Sequence, residues 1–291
     1  MNAIIGTTAS GKSKLAINLA RKFKLSIFSI DSLSIYKHID IASAKPSKTE
    51  LSEIKHYGID LLNPYEKCNA KVFFDLLKQV VNDRILIVGG SSFYLKAMID
   101  GLSPIPQMTP FIEQKLAQML KDKVKSYEFL KKLDSTFANK INPNDGYRIN
   151  KALEIFFLTN TPPSIFFTNN PREKLDFEIN IFELTKPKEI LKNDIITRTN
   201  IMFESGLITE VQNLKDNFSE IQPFKAIGIK EILMFLDNKI TINEARELII
   251  KNTLSLAKRQ RTFNKTQFRN VISGDFKTIN NALEYEYQKI F

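Results

Sequence analysis

The sequence predicts an α/β fold: a P-loop parallel sheet core flanked by helices, with an inserted small helical domain. Three observations predict it. Apolar strands alternate with amphipathic helices over the first hundred residues. A glycine-rich loop sits at the first strand-to-helix junction. A proline-rich break after residue 100 leads into mostly helical text.

Residues 2–5 form a short apolar strand, and 13–23 carry Leu15, Ala16, Leu19 and Ala20 at helical spacing. Residues 25–30, rich in β-branched and aromatic side chains, read as a strand that ends at Asp31. Residues 71–81 read as a helix, 84–88 as a buried strand closed by Gly89-Gly90, and 91–99 as the next helix. This alternation implies a parallel sheet covered on both faces. Gly101, Pro104, Pro106 and Pro110 mark a linker. Beyond it, 111–124 is expected to be one helix, with Ile112, Leu116, Met119 and Leu120 on one face. Asn142-Pro143-Asn144-Asp145 starts a second helix over 146–158, and 176–184 reads as a return strand. The expected division is therefore a core of residues 1–106 and 181–291, with an insertion at 107–180. Helices are expected near 187–205, 224–236 and 243–264.

The 291 residues are 43% apolar, enough for a real core, and no run approaches the roughly 18 apolar residues needed to cross a bilayer. Residues 1–5 run straight into the glycine loop without the shape of a secretion signal. Cys68 is the only cysteine, so an intramolecular disulfide and a four-cysteine zinc site are excluded. His38 and His56 are too few for a histidine-based metal or triad site. The expected setting is cytoplasmic, with no membrane partner, and the expected acting unit is a monomer. The net charge of +10 suits a polyanion. Residues 251–270 concentrate it: Lys251, Lys258, Arg259, Arg261, Lys265 and Arg269, with no acid. Such a segment is commonly a solvated helix face; beside a phosphate-binding core, nucleic acid is the favoured partner.

Gly6-Thr7-Thr8-Ala9-Ser10-Gly11-Lys12-Ser13 fits G-x-x-x-x-G-K-[ST]. Its glycines let the backbone wrap an anion with amides pointing inward, and the following helix offers its positive end. Lys12 adds a mobile charge, and Ser13 is placed to ligate Mg²⁺. The loop implies a diphosphate or triphosphate and leaves open what departs. Most such loops serve nucleotide hydrolysis or phosphoryl transfer, so an ATP-binding small-molecule kinase is one reading; an RNA-binding module that senses nucleotide is another. Asp31, at the tip of an apolar strand, could hold the metal in a kinase.

Further motifs resemble the tRNA dimethylallyltransferase family. The phosphate loop is similar to that family's G-P-T-A-S-G-K-[ST], with Thr7 for Pro. Asp31-Ser32-Leu33-Ser34-Ile35-Tyr36 resembles D-S-x-Q-v-Y, with Ser34 for Gln. Asp40-Ile41-Ala42-Ser43-Ala44-Lys45-Pro46 resembles D-I-G-T-A-K-P. Val88-Gly89-Gly90-Ser91 through Tyr94 resembles V-G-G-T-x-x-Y. Asn142 to Asp145 with Arg148, Ala152, Leu153 and Glu154 resembles H-P-N-D-x-x-R-x-x-R-A-L-E, and Ala257-Lys258-Arg259-Gln260 resembles A-K-R-Q. The matches keep their order over nearly the whole chain.

The resemblance implies that the loop binds dimethylallyl diphosphate rather than ATP, with Mg²⁺ as cofactor. The acceptor would be the exocyclic amine of the adenine 3′ of the anticodon, presented by a tRNA anticodon stem-loop. It implies Asp31 as general base, Arg198 as a stabiliser of the leaving diphosphate, and Ser91 as a hydrogen-bonding group near the reacting atoms. It places tRNA contacts at Asp31, Ser32, Leu33, Ser34, Lys45 and Ser91, at Tyr147, Arg148 and Lys151, at Lys225 and Lys230, and at Lys258, Arg259, Gln260 and Arg261.

Overall fold

The structure, a computed structural model, describes residues 1–290. In chain order the first part comprises β1 (Asn2–Gly6), α1 (Lys12–Phe23), β2 (Ser26–Ser29), α2 (Lys48–Glu53), β3 (His56–Tyr57), α3 (Ala70–Val80), β4 (Ile85–Val88) and α4 (Ser92–Asp100). Five helices follow: α5 (Pro110–Met119), α6 (Lys123–Leu133), α7 (Ser135–Ala138), α8 (Gly146–Thr159) and α9 (Pro163–Asn169). The chain then returns through β5 (Asn180–Leu184), α10 (Lys188–Glu204), α11 (Leu207–Asn217), a 3₁₀ turn at Gln222–Lys225, α12 (Ile229–Leu236), α13 (Ile242–Gln267), β6 (Ile272–Gly274) and α14 (Phe276–Ile290).

The six strands form one sheet in the order β3-β2-β4-β1-β5-β6, every pair parallel. An all-parallel sheet must be covered on both faces, and β1 and β4 are buried along their whole length. Ile4 lies opposite Val88 on one side and Phe182 on the other. The carboxyl ends of β2, β4, β1 and β5 therefore finish side by side, where open α/β sheets bind ligands. Backbone bonds extend the alignment: Ile30 donates to Val88 (2.9 Å) and Gly89 donates to Ile4 (3.2 Å). The residues that leave these strand ends are the phosphate loop, Asp31 and Gly90-Ser91.

The chain divides into two compact units, Met1–Ile99 with Leu175–Phe291, and Asp100–Lys174. The division falls several residues before 107 and 180, because Leu102 and Glu173 exchange backbone hydrogen bonds of 3.0 Å and close the second unit at its neck. That unit has its own core of Leu116, Leu130, Ala138, Ile149, Ala152 and Leu153. The single helix expected over 111–124 is two. α5 stops at Met119, and Asp122 caps α6 by accepting the Lys125 N–H at 3.0 Å. A carboxylate that can take an orphan amide starts a helix more effectively than it continues one.

In the first unit, α14 closes one face. Ile279, Leu283 and Tyr287 pack on Leu15, Leu19 and Phe182, and the Tyr287 ring lies 5.3 Å from that of Phe23. Each such burial contributes about 2 kcal/mol. The strand expected over 176–184 begins only at Asn180. β3, β6 and α14 were not expected; the two strands are too short to show a period. Among the described residues, no helix is long and apolar enough to cross a membrane.

Gly89 is a steric requirement of this sheet. A Cβ there would lie 2.4 Å from Ile30 Cγ1 and 2.5 Å from the Ile30 carbonyl oxygen. Gly89→Ala is expected to push β2 away from β4 and to destabilise the protein by about 3 kcal/mol. Urea unfolding followed by circular dichroism checks this; a midpoint equal to wild type would mean that the strands do not approach so closely.

Candidate active site

Gly6 leaves β1 with φ of 149°, and its missing Cβ admits the Leu184 carbonyl oxygen, which would otherwise lie 2.5 Å away. Ala9 adopts a left-handed conformation (φ 59°), and Gly11 caps α1 with φ of 97° and no side-chain hydrogen bond. The first amides of α1 thus have neither an intrahelical partner nor a capping side chain, and they point out of a helix end of positive potential. Ser10 donates its N–H to the Thr7 carbonyl at 3.3 Å, which keeps the loop closed without those amides.

Lys12 is 9% exposed, and its Nζ donates to the Thr7 carbonyl at 2.5 Å and to Ser10 Oγ at 3.4 Å. Its pKa is lowered from 10.5 to about 7. Desolvation is the main cause, followed by the positive charge of Arg198, with Lys186 adding to it; Asp31 acts in the opposite direction. Arg198, half-buried on α10, donates Nη1 to Thr8 Oγ1 at 3.3 Å. Burial lowers its pKa too, and Asp31 again opposes the shift. α10 is seated by Leu191 and Ile195, which pack with Ala257 of α13 and with Ala9 of the loop. Arg198 lies one turn beyond Ile195 and so faces the loop.

Asp31 is anchored by one oxygen only. Its Oδ1 accepts the N–H groups of Leu33 (2.9 Å) and Ser34 (3.0 Å), while Oδ2 has no hydrogen-bond partner among the described residues. The carboxylate is half-buried, and its charge is felt at both Lys12 and Arg198. An oriented carboxylate with a free oxygen, beside an anion cradle, can accept a proton. Ser91 follows Gly90 at the tip of β4 and accepts the Tyr94 N–H on its carbonyl at 2.8 Å, and its hydroxyl has no hydrogen-bond partner among the described residues. Cys68 is a buried free thiol, and burial pushes its pKa up to about 11.

No group of three or more His, Cys, Asp or Glu side chains is disposed to hold a metal among the described residues. What the protein offers is the exposed Ser13 hydroxyl in the first turn of α1. That donor set fits a hard ion that arrives on phosphate oxygens and keeps most of its waters, as Mg²⁺ does.

The structure thus gathers Gly6 to Ser13, Asp31, Ser91 and Arg198 around the strand ends. Several residues expected to contact RNA are placed otherwise. The Lys45 side chain is only 3% exposed, and its ammonium donates to the Tyr36 carbonyl (2.7 Å), Asp40 (2.7 Å) and Asp60 (2.6 Å). All three of its hydrogens are used within the protein, so Lys45 braces its loop instead of meeting a phosphate. Ser34 is buried beside Ser29, whose hydroxyl lies 3.4 Å from its own. Gln260 is turned toward the phosphate loop and bonds to Thr8 and Gly90. Ser32, Lys225, Lys258 and Arg259 are exposed; Leu33 and Arg261 are half-buried, and Lys230 lies 3.4 Å from buried Glu231. In the second unit Tyr147 is exposed, Arg148 pairs with Asp145 (3.1 Å) and Lys151 with Glu154 (2.7 Å).

Two participants were missed. Lys186 donates to the Ala9 carbonyl (3.2 Å) and pairs with Asp194 (2.5 Å). It stands two residues past the end of β5, a position that a parallel-sheet reading could have flagged. A cavity of about 400 Å³ beside the loop is lined by Thr7, Lys186, Arg261 and Lys265 among others. Glu210 of α11 accepts the N–H groups of Asp40, Ile41 and Ala42 at 2.7–2.9 Å and so holds their loop. Nothing in the sequence marked it.

A parallel α/β core with an uncapped, cation-rich phosphate loop facing a half-free carboxylate defines a P-loop enzyme that handles a phosphate ester. The particular lineage is clear: the chain belongs to the tRNA dimethylallyltransferase family. A family model described as IPP transferase matches residues 34–267. The tRNA dimethylallyltransferase of Nautilia profundicola is 49% identical over 285 residues, covering 97% of this chain and 98% of that one. That of Helicobacter pylori strain J99 is 47% identical, covering 97% and 92%. Among solved structures, the tRNA isopentenylpyrophosphate transferase of Bacillus halodurans superposes with a TM-score of 0.69 at 29% identity, covering 99% of this chain and 96% of that one. A eukaryotic dimethylallyltransferase described as acting on tRNA superposes with a TM-score of 0.79 at 26% identity, covering 95% and 73%.

The depressed Lys12 pKa has a consequence for binding. Above about pH 7 the free protein holds Lys12 neutral, yet a bound diphosphate favours the charged form, so binding takes up a proton there. The Kd of a non-reacting thio-analogue of dimethylallyl diphosphate is expected to be flat below pH 7. Above it, Kd should rise toward about tenfold per pH unit. Lys12→Arg, charged throughout, should flatten the profile. Calorimetric titration across pH 6–9 checks this, and parallel profiles for the two proteins would contradict it.

Proposed function

We propose that this enzyme transfers a dimethylallyl group from dimethylallyl diphosphate to the exocyclic amine of the adenine 3′-adjacent to the anticodon of tRNA, releasing diphosphate. The observation that carries the reading is the meeting of Lys12, Arg198 and Asp31 at the strand ends of a chain in this family. A cationic cradle suits a departing diphosphate. A carboxylate with a free oxygen suits the loss of a proton from an amine.

In the transfer the allylic C–O bond breaks and a C–N bond forms to the adenine amine. The allylic carbon ionises readily, so the main demand is charge on the leaving diphosphate. The α1 amides, Lys12 and Arg198 meet it with donors already oriented and desolvated. Mg²⁺, held through Ser13 and the diphosphate oxygens, would add positive charge to the same group. An adenine amine is a weak nucleophile because its lone pair is delocalised into the ring. Asp31 Oδ2 takes its proton as the C–N bond forms, which keeps positive charge from building on the base. Ser91 hydrogen-bonds near the reacting groups.

The acceptor must leave the anticodon stack to reach this site. The exposed cations Lys258 and Arg259 on α13 and the exposed Lys225 serve the phosphates of the stem-loop. Tyr147, Arg148 and Lys151, on α8 of the second unit, are proposed as further RNA contacts. Apart from bound tRNA, the enzyme acts as a monomer in the cytoplasm.

Incubation with dimethylallyl diphosphate, Mg²⁺ and unmodified tRNA, followed by digestion and mass analysis, should reveal prenylated adenosine. ATP turnover with no such product would replace this reading with that of a kinase. Asp31→Asn is expected to lower the transfer rate by about 10²- to 10⁴-fold. Binding of the thio-diphosphate analogue should survive in that variant; equal loss of binding and turnover would make Asp31 a structural or metal-holding group.

Replacing both Lys258 and Arg259 with Ala should weaken tRNA binding and reduce the salt slope by about one for each phosphate left without its cation. Filter binding over a range of KCl concentrations checks it. Unchanged affinity and slope would remove these two side chains from the interface.

A further inference from the structure

Gln260 lies within the basic stretch of α13, yet its side chain points away from solvent-facing Lys258 and Arg259. Its Oε1 accepts the Thr8 N–H at 2.8 Å, and its Nε2 donates to the Gly90 carbonyl at 2.9 Å. These partners lie on different strand exits: Thr8 in the loop after β1, Gly90 at the tip of β4, immediately before Ser91. The orientation of the amide is settled by the pair, since a flip would set NH₂ against N–H and oxygen against oxygen. We propose that Gln260 is a positioning residue: its amide ties the phosphate loop to the end of β4 and fixes the diphosphate cradle relative to Ser91.

Three observations support this. First, Gly90 is shaped to admit Gln260. A Cβ at Gly90 would lie 2.7 Å from Gln260 Nε2, whereas the next nearest atoms, Gln260 Cδ and the Gly6 carbonyl oxygen, are 3.7 Å away. Gly90 is not among the residues of positive φ, so its backbone does not itself require glycine. Gly89 next to it is excluded from carrying a side chain by Ile30 instead. Second, Gln260 is carried on a helix locked to both sides of the tie. Ala257, one turn earlier, packs in the cluster that includes Ala9 of the loop. Phe263, one turn later, meets the Phe93 ring of α4 edge-on at 6.5 Å. Third, Thr8 is held twice, by Gln260 at its N–H and by Arg198 at its hydroxyl. The middle of the loop is therefore set by α13 and α10 together, and the Thr8 N–H is engaged by protein.

Few other side chains can perform this role. Asn is one methylene too short to reach both partners. Glu would accept the Thr8 N–H but present a second oxygen to the Gly90 carbonyl. Ala would leave a part-buried N–H and C=O unmatched. The tie also places the exposed Lys258 and Arg259 on the same rigid helix as the residue that holds the loop, so an RNA bound there registers against the diphosphate.

The inference deepens the proposed transfer reaction and rests on it for the role of Ser91, but the tie itself can be tested by binding alone. Gln260→Ala, Gly90→Ala and the double variant are compared with wild type. The readouts are Kd for the thio-diphosphate analogue, Kd for tRNA, kcat and KM for each substrate, and melting temperature. Gln260→Ala is expected to weaken analogue binding by about tenfold and to lower kcat, with tRNA affinity and its salt slope unchanged. Gly90→Ala should do the same, because its Cβ displaces the amide. The double variant should be no worse than Gln260→Ala, since the Cβ then meets nothing. That lack of additivity is the signature of a shared contact and would not arise from general loss of stability.

Loss of tRNA affinity with analogue binding intact would make Gln260 an RNA contact and overturn the proposal. Losses that multiply in the double variant would overturn it as well. Should Gln260→Ala not fold, Gly90→Ala and Gln260→Glu carry the same comparison. If wild type transfers no prenyl group, the reaction assignment fails while the analogue titrations still decide whether the tie exists.

Discussion

A nearly buried ammonium crowded by like charges is the constraint on which the site depends. Lys12 is packed at the foot of α1 with Arg198 and Lys186 adding to its cost, and the helix above it ends in amides that no side chain satisfies. Each of these features is unfavourable in the free protein and favourable once a polyanion supplies negative charge and acceptors. The loop gives up stability in its unliganded form for donors that need not reorganise when charge develops on a leaving group. The folded sheet holds that arrangement in place through the β4-β1-β5 centre, where β1 and β4 are buried along their whole length and β5 is buried at Ile181, Phe182 and Leu184.

Around this cradle the protein places opposite charge sparingly. Asp31 is the carboxylate that offsets both Lys12 and Arg198, and it does so while bonded through one oxygen to its own turn. Asp194 neutralises Lys186 from the outer side. A richer supply of acids would have satisfied the cations internally and removed the attraction for diphosphate. The same economy leaves the second oxygen of Asp31 without a hydrogen-bond partner among the described residues.

Much of the polar chemistry outside the loop serves as bracing. Glu210 gathers three successive amides of residues 40–42, and Lys45 fastens the same loop to Asp60 and to the Tyr36 carbonyl. Gln260 joins Thr8 to Gly90. Charged and amide side chains that resemble RNA ligands on paper are spent inside the protein, where a buried donor or acceptor must find a partner. Neighbours such as Lys258 and Arg259 are turned outward by the helical period and stay exposed.

Local signals were legible in the residues themselves. The phosphate loop and α1 form within one continuous stretch from Gly6 to Phe23, so glycine placement and helical spacing were sufficient to read them. The alternation of apolar strands with helices identified a parallel core, and the proline cluster marked the insertion. The break between α5 and α6 was missed because apolar spacing runs straight through it while the Asp122 cap is a single side chain. What tertiary structure alone decided is which distant side chains converge: Gln260 reaches Thr8 across 252 positions, Arg198 across 190, and Lys45 turns inward. Periodicity encodes which face of an element is buried. It does not encode which neighbour waits on the far side, because that depends on the strand order β3-β2-β4-β1-β5-β6, which only the packed sheet establishes.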